Sequence, residues 1–147
     1  MGRDFVNLTE HVLDSIRDEC RMIRQTVFVE EQGFEEEFDT LDQTAVHFLI
    51  TADGEPAATA RMMTGSKDGE YIVGRVAVLP EYRNMRIGSR IMRLTEREAL
   101  RRGGTKISLS AQHRACAFYE SLGYSVCGPS FFEQSCEHIP MEKQLNG

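Results

Sequence analysis

The chain has no run of about 18 apolar residues of the kind that spans a bilayer, and no basic-then-apolar leader at its N-terminus. Those two absences point to a cytoplasmic protein with no membrane association. Its four cysteines, Cys20, Cys116, Cys127 and Cys136, form no C-x-x-C pair and no Cys/His spacing of the zinc type. They read as core or incidental thiols, so neither a metal site nor a disulfide framework is expected. The G-K-[ST] of a P-loop is missing, as is any G-x-G-x-x-G, which argues against a nucleotide-binding domain. A net charge of −6 leaves no extended basic surface to neutralise phosphates, so nucleic acid is not an expected partner. A cationic or amine partner suits an acidic chain better. With 147 residues, 41% of them apolar, the chain is expected to form a single domain over residues 1–147 with a real core and no linker.

What is present is concentrated in residues 71–102, YIVGRVAVLPEYRNMRIGSRIMRLTEREALRR. Tyr71 to Leu79 are rich in β-branched and aromatic residues and read as a buried strand closed by Pro80. From Arg86 to Arg102 the apolar and arginine residues recur at helical period. Taking about 100° of turn per residue, Ile87, Gly88, Ile91, Met92, Leu94, Thr95 and Ala99 share one side. Arg86, Arg90, Arg93, Arg97 and Arg101 occupy a separate arc, while Glu98 and Leu100 each fall on the wrong face. Residues 83–102 hold seven arginines against Glu96 and Glu98, a positive island in an acidic chain that points to an anionic ligand. The first turn of such a helix offers unbonded N–H groups and the positive dipole end, Gly88 allows close approach, and Arg83 can add a forked donor. The plainer reading is a surface helix with a solvated arginine face.

Around this stretch the punctuation is regular. Arg3 to Leu8 reads as an edge strand. Thr9 reads as the N-cap of a helix carrying Val12, Leu13, Ile16, Cys20, Ile23 and Val27, continuous or broken near Asp18, and ended by Gly33. Ala45–Thr51, Pro56–Met63 and Tyr71–Leu79, joined by turns at Asp53-Gly54 and residues 65–69, predict an antiparallel meander. Gly103 and Gly104 stop the arginine helix, and Thr105–Ser110 is a strand expected to lie parallel to the one before it through a right-handed crossover. A helix over Gln112–Leu122 and strands over Tyr124–Cys127 and Glu137–Lys143 complete the chain, the last two joined by a loop around Pro129–Ser135. Between Glu30 and Asp42 lie seven carboxylates, Glu30, Glu31, Glu35, Glu36, Glu37, Asp39 and Asp42, and no basic residue. They read as solvated loop charges, or as a group of which one or two face an amine. His47 is a half-buried strand residue or a base that titrates near neutrality.

The order of these parts carries a resemblance. V-A-V-L-P at Val76–Pro80 followed by R-N-M-R-I-G-S at Arg83–Ser89 resembles the acyl-CoA signature R/Q-x-x-G-x-G/A of the GNAT superfamily of N-acetyltransferases. Arg86 stands where that family usually has glycine. R-x-x-V-F-V-x-E-Q-G at Arg24–Gly33 is similar to the small bacterial ElaA-like branch. A-C-A-F-Y-E-S-L-G-Y at Ala115–Tyr124 resembles the family helix whose tyrosine stands beside the thioester sulfur. The likeness implies an α/β (α+β) fold with a mixed, mostly antiparallel central sheet of about six to seven strands and about four flanking helices. It implies acetyl-CoA as co-substrate, no metal, and acetyl transfer to the amine of a small molecule by direct attack in a ternary complex. Cofactor contacts are then expected from the backbone of Val76, Ala77 and Val78, and from Arg83, Asn84, Arg86, Ile87, Gly88 and Ser89. Gln112 stands where many relatives have an asparagine near the pantetheine. Tyr119 is the implied general acid. Glu31, His47 and Glu30 are the candidate bases, Glu30 and Glu31 also the acceptor-side residues, with base action through a water equally open. A homodimer is expected for relatives of this size. The alternative, motivated by Arg86, is a CoA-binding sensor or interaction module of the same fold that has lost catalysis.

Overall fold

A computed structural model describes residues 6–35 and 38–146. The chain divides into two compact units, the first formed by Met1–Met62 and Arg75–Thr95, the second by Met63–Gly74 and Glu96–Gly147.

The first unit begins with strand β1 (Leu8–Leu13), followed by helix α1 (Asp18–Arg24), which widens into a π-helical segment, Gln25–Glu31. A 3-10 turn (Thr40–Gln43) leads to β2 (Val46–Ala52) and β3 (Glu55–Thr64). β1 pairs antiparallel with β2, and β2 with β3, the latter with a shift in register between Ile50 and Thr51. Asp53 and Gly54 take φ of 50° and 85°, the left-handed pair that a two-residue hairpin turn requires. The core of this unit joins Cys20, Ile23, Val27 and Phe28 to Leu49, Ala77 and Leu79, with Leu13, Ile16, Phe34 and Tyr82 packed against them.

β4 (Glu70–Val78) and helix α2 (Ile87–Arg101) each pass from one unit to the other. Between them lies a 3-10 turn, Pro80–Tyr82. On α2, Ile87, Ile91, Met92, Leu94, Thr95 and Ala99 are buried, the apolar side the spacing predicts. Glu98 is buried as well, and Arg101 and Arg102 explain why this is tolerated. Arg101 Nε donates to one Glu98 oxygen at 3.0 Å and Arg102 Nε to the other at 2.7 Å, so the carboxylate goes inside with its charge met. Hydrogen bonds from Arg101 first, and from Arg102, outweigh burial and hold its carboxyl below the usual range.

In the second unit β5 (Lys106–Gln112) runs parallel to the start of β4, with Tyr71 opposite Ile107. A 3-10 turn (His113–Ala115), helix α3 (Cys116–Ser121) and strands β6 (Ser125–Val126), β7 (Phe131–Glu133) and β8 (Cys136–Gln144) follow. β8 pairs antiparallel with β5, β6 and β7. The stop after α2 is tight: Gly104 N–H donates to Ala99 O at 2.7 Å, and a Cβ on Gly104 would lie 2.8 Å from both that oxygen and the Tyr71 ring. Strands are hydrogen-bonded in the order β1-β2-β3-β4-β5-β8-β6, with β7 on β8. The protein is therefore a mixed α/β fold with a mostly antiparallel sheet, as expected, although the sheet has eight strands. Among the described residues there are three α-helices.

Two local expectations change. Thr9 is not an N-cap: it lies inside β1, opposite Thr51, and the helix starts at Asp18. The apolar spacing of Val12, Leu13 and Ile16 is compatible with a helix, but the backbone of residues 8–13 bonds to β2, and Asp53 Oδ1 accepts from Asn7 N–H at 2.9 Å to set the register. Residues 3–5 of the expected edge strand lie outside the described residues, as do Glu36 and Glu37. Second, the loop around Pro129–Ser135 contains β7, turned into β8 by Gln134 and Ser135 at φ of 50° and 65°, a left-handed pair without glycine.

Candidate active site

The passage from β4 to α2 is built from the backbone outward. Arg75, inside β4, has φ of 51°, which interrupts the regular pleat before Val76–Val78. Leu79 is buried and its N–H donates to Ala57 O at 2.9 Å. Tyr82 and Arg83 N–H close the 3-10 turn on Leu79 and Pro80 carbonyls. Asn84 and Arg86 then take φ of 67° and 62°, and Arg90 N–H donates to Arg86 O to begin α2. Arg86 thus sits in the left-handed region that glycine adopts without strain. The N–H groups of Ile87, Gly88 and Ser89 belong to the first turn of α2, the positive end of its dipole. Arg86 is exposed beside them. This donor set of backbone amides, a helix N-terminus and a guanidinium suits a diphosphate.

Arg83 is differently employed. Its Nε donates to Val78 O at 3.0 Å, and its two terminal nitrogens donate to the two oxygens of Glu31 at 2.7 Å each. The Glu31 hydrogen bonds, opposed by burial, raise the Arg83 pKa above its ordinary value. Two residues assigned by sequence to opposite ends of the reaction, one to the cofactor and one to the acceptor, are therefore joined as a fork.

The acidic stretch proves to be largely ion-paired. Asp42 accepts from Arg24 at 2.8 and 3.0 Å and from Arg61 at 3.0 Å. Asp39 accepts from Arg61 at 2.7 and 3.2 Å and from Arg75 at 3.4 Å. Arg24 and Arg61 are buried, and the Phe38 ring lies 4.8 Å from the Arg24 guanidinium. Burial works against the Asp42 charge, yet the hydrogen bonds from Arg24 and Arg61 outweigh it and hold that carboxyl far below the usual range. The Arg61 hydrogen bond likewise lowers Asp39. Glu30 is exposed.

His47 belongs to this buried cluster. It is 1% exposed, its Nε2–H donates to Asp42 O at 2.9 Å, and Nδ1 has no partner among the described residues. Burial pushes its pKa below 6.5, so it is a neutral interior ring that solvent does not reach. The sequence reading did not find the partners Arg24, Arg61 and Arg75. An arginine inside the apolar run of β3, AATARMM, together with an acidic stretch lacking any base, is the signal that points to them.

In the second unit, Tyr119 is 8% exposed and packs edge-on against Phe118 and Tyr124, with ring centroids 5.0 and 5.9 Å away. Burial, with a smaller contribution from Cys116, pushes its phenol up, so it keeps its proton at every physiological pH. Tyr124 is anchored through its hydroxyl to Glu96 at 2.8 Å, and Lys143 holds the other Glu96 oxygen at 3.0 Å. Gln112 is the last residue of β5. Its side-chain oxygen accepts from Arg114 at 3.0 and 3.2 Å.

A strand, a left-handed turn and a helix N-terminus rich in arginine, set in a mixed sheet, make a site for an anionic ligand. Residues 13–145 match the family model described as an acetyltransferase (GNAT) domain, and the chain belongs to that family. It is 35% identical over 127 residues to a Bacillus subtilis protein provisionally named an acetyltransferase, with 83% of this chain and 85% of the relative covered. A crystal structure of a Lactobacillus plantarum protein, also provisionally named an N-acetyltransferase, superposes with a TM-score of 0.88 at 28% identity, covering 95% of this chain and 99% of that one. Escherichia coli ElaA gives 0.81 at 24% identity over the same shares, a likeness of fold. No helix among the described residues is long and apolar enough to cross a membrane, and none of their side chains form a metal-binding group.

Proposed function

We propose that the chain, acting as one domain over residues 1–147, transfers an acetyl group from acetyl-CoA to the amine of a small molecule by direct attack in a ternary complex. The observation that carries this reading is the turn Arg83–Arg86, which takes two non-glycine residues through the left-handed region and ends at the N-terminus of α2, whose first-turn residues are Ile87, Gly88 and Ser89. In this reading the amides of those three residues, with Asn84 and Arg86 beside them, hold the diphosphate, and the backbone of Val76, Ala77 and Val78 holds the pantetheine arm, with Gln112 near it. Acetyl-CoA supplies an activated acetyl group on a thiolate that leaves readily.

Aminolysis needs a neutral amine and a proton for the departing sulfur. Tyr119, whose phenol burial keeps protonated, is the assigned proton donor. Glu31 is ion-paired and His47 is enclosed, so the amine proton is assigned to a water, with exposed Glu30 drawing the cationic acceptor. Following free thiol with acetyl-CoA and a panel of small amines tests the transfer. Tyr119→Phe should lower kcat by about tenfold to a hundredfold with little change in KM for acetyl-CoA, and an unchanged kcat would take Tyr119 out of the mechanism. Binding of acetyl-CoA without turnover on any amine would favour a sensor, the reading that the side chain of Arg86 in the glycine-like position supports.

A further inference from the structure

We infer that Arg83 and Glu31 form a positioning clamp on the acyl-CoA strand, and that neither serves as the phosphate ligand or the base. This inference rests on the reading above that residues 76–89 hold the co-substrate. All three nitrogens of the Arg83 guanidinium are engaged within the protein: Nε on Val78 O at 3.0 Å and the terminal pair on the two Glu31 oxygens at 2.7 Å. One side chain thereby ties together the last residue of the π-helical segment, the last carbonyl of β4 and the entry to the left-handed turn. The fork geometry matches both carboxylate oxygens, which a single-point lysine cannot reproduce. Turning the guanidinium toward a diphosphate would give up three hydrogen bonds at once.

A second strut acts a few residues upstream. Asp39 reaches Arg75, the left-handed residue of β4, at 3.4 Å, while itself gripped by the buried Arg61. The stretch 75–83 is thus held near both ends by carboxylates of the acidic segment. Asn84 and Arg86 need such support, because non-glycine residues persist at positive φ only where their surroundings over-determine them. The acidic segment consequently sets the shape of the cofactor strand, and Arg83 acts on the thioester through Val78 and the turn.

The test is calorimetric binding of acetyl-CoA and of acetyl-pantetheine, which has the same thioester arm and no diphosphate. The proteins are wild type, Arg83→Ala, Arg83→Lys, Glu31→Ala and the double alanine variant. Both side chains are more than a third exposed, so the variants should fold, and thermal unfolding checks that they do. A clamp predicts that each single variant, Arg83→Lys included, weakens both ligands by a similar factor of about threefold to tenfold, with the double variant no worse. The clamp is overturned if Arg83→Ala weakens acetyl-CoA alone, or if Glu31→Ala leaves or tightens binding. Wild type that binds neither ligand would instead overturn the assignment of residues 76–89, and the clamp with it.

Discussion

Two arginine–carboxylate assemblies lie in the same unit and differ mainly in depth. The side chains of Arg24, Asp42 and Arg61 are 1%, 9% and 5% exposed, whereas Arg83 and Glu31 retain 38% and 40%. Both contain a fork of short hydrogen bonds, so the bonding chemistry is the same. Inside, removing one partner strands a charge that water cannot reach. At the surface, water and salt take over the lost partner, and the stability of the fold scarcely registers the pair. What an exposed fork can still do is fix geometry, here that of Val78 and of the turn after it.

The largest effect expected from breaking this comparison comes from Asp42→Ala. It removes the acceptor for both terminal nitrogens of Arg24 and for Arg61, and should lower stability by about 3–5 kcal/mol in urea unfolding. A loss below about 1 kcal/mol would erase the distinction between the two assemblies.

The pH response of His47 sharpens it next. Burial keeps the ring neutral, with the Asp42 carbonyl on Nε2 and the charges of Asp42, Arg24 and Arg61 around it. The unfolded chain binds the proton first as pH falls below about 6.5, so this stabilisation is full above that pH and drains away toward the lower folded value. The urea midpoint should therefore fall between about pH 7 and 5.5, and His47→Gln should flatten that arm. An unchanged slope in the variant would mean that the ring titrates as it does in solvent.

A smaller effect is expected at Arg86. Glycine there relieves the left-handed strain but costs chain entropy on folding, for a net gain of about 0.5–1 kcal/mol. A lower melting temperature for Arg86→Gly would show that the arginine side chain stabilises the turn. The smallest effect falls on Glu31→Ala, with a stability change of about 0–1 kcal/mol. A loss rivalling that of Asp42→Ala would place the exposed fork in the same energetic class as the buried one.

The parts of the fold that were legible are those with local causes. The β2–β3 hairpin follows from Asp53-Gly54, the stop of α2 from Gly103-Gly104, and the parallel β4–β5 pair from a strand and its return separated by one helix. The buried side of α2 followed from its period, and the departure at Glu98 was visible too, though not its resolution by Arg101 and Arg102. β1 was misread because an edge strand takes its conformation from the neighbour it bonds to, and a short apolar pattern fits two periods. β7 was missed because its turn has no glycine to announce it.

By itself the sequence determined the class of fold and the acyltransferase family, because turn residues, periodicity and a short motif are properties of neighbours along the chain. Only the tertiary structure decided what the charges do. Arg24 and Asp42 are 18 residues apart, Arg61 and Asp42 19, and Arg83 and Glu31 52. Nothing along the chain marks which carboxylate a guanidinium will meet, since that depends on folding the acidic segment back onto β3 and the end of β4. Of the described acidic residues in that segment, Glu31, Asp39 and Asp42 were reached by packing and became struts.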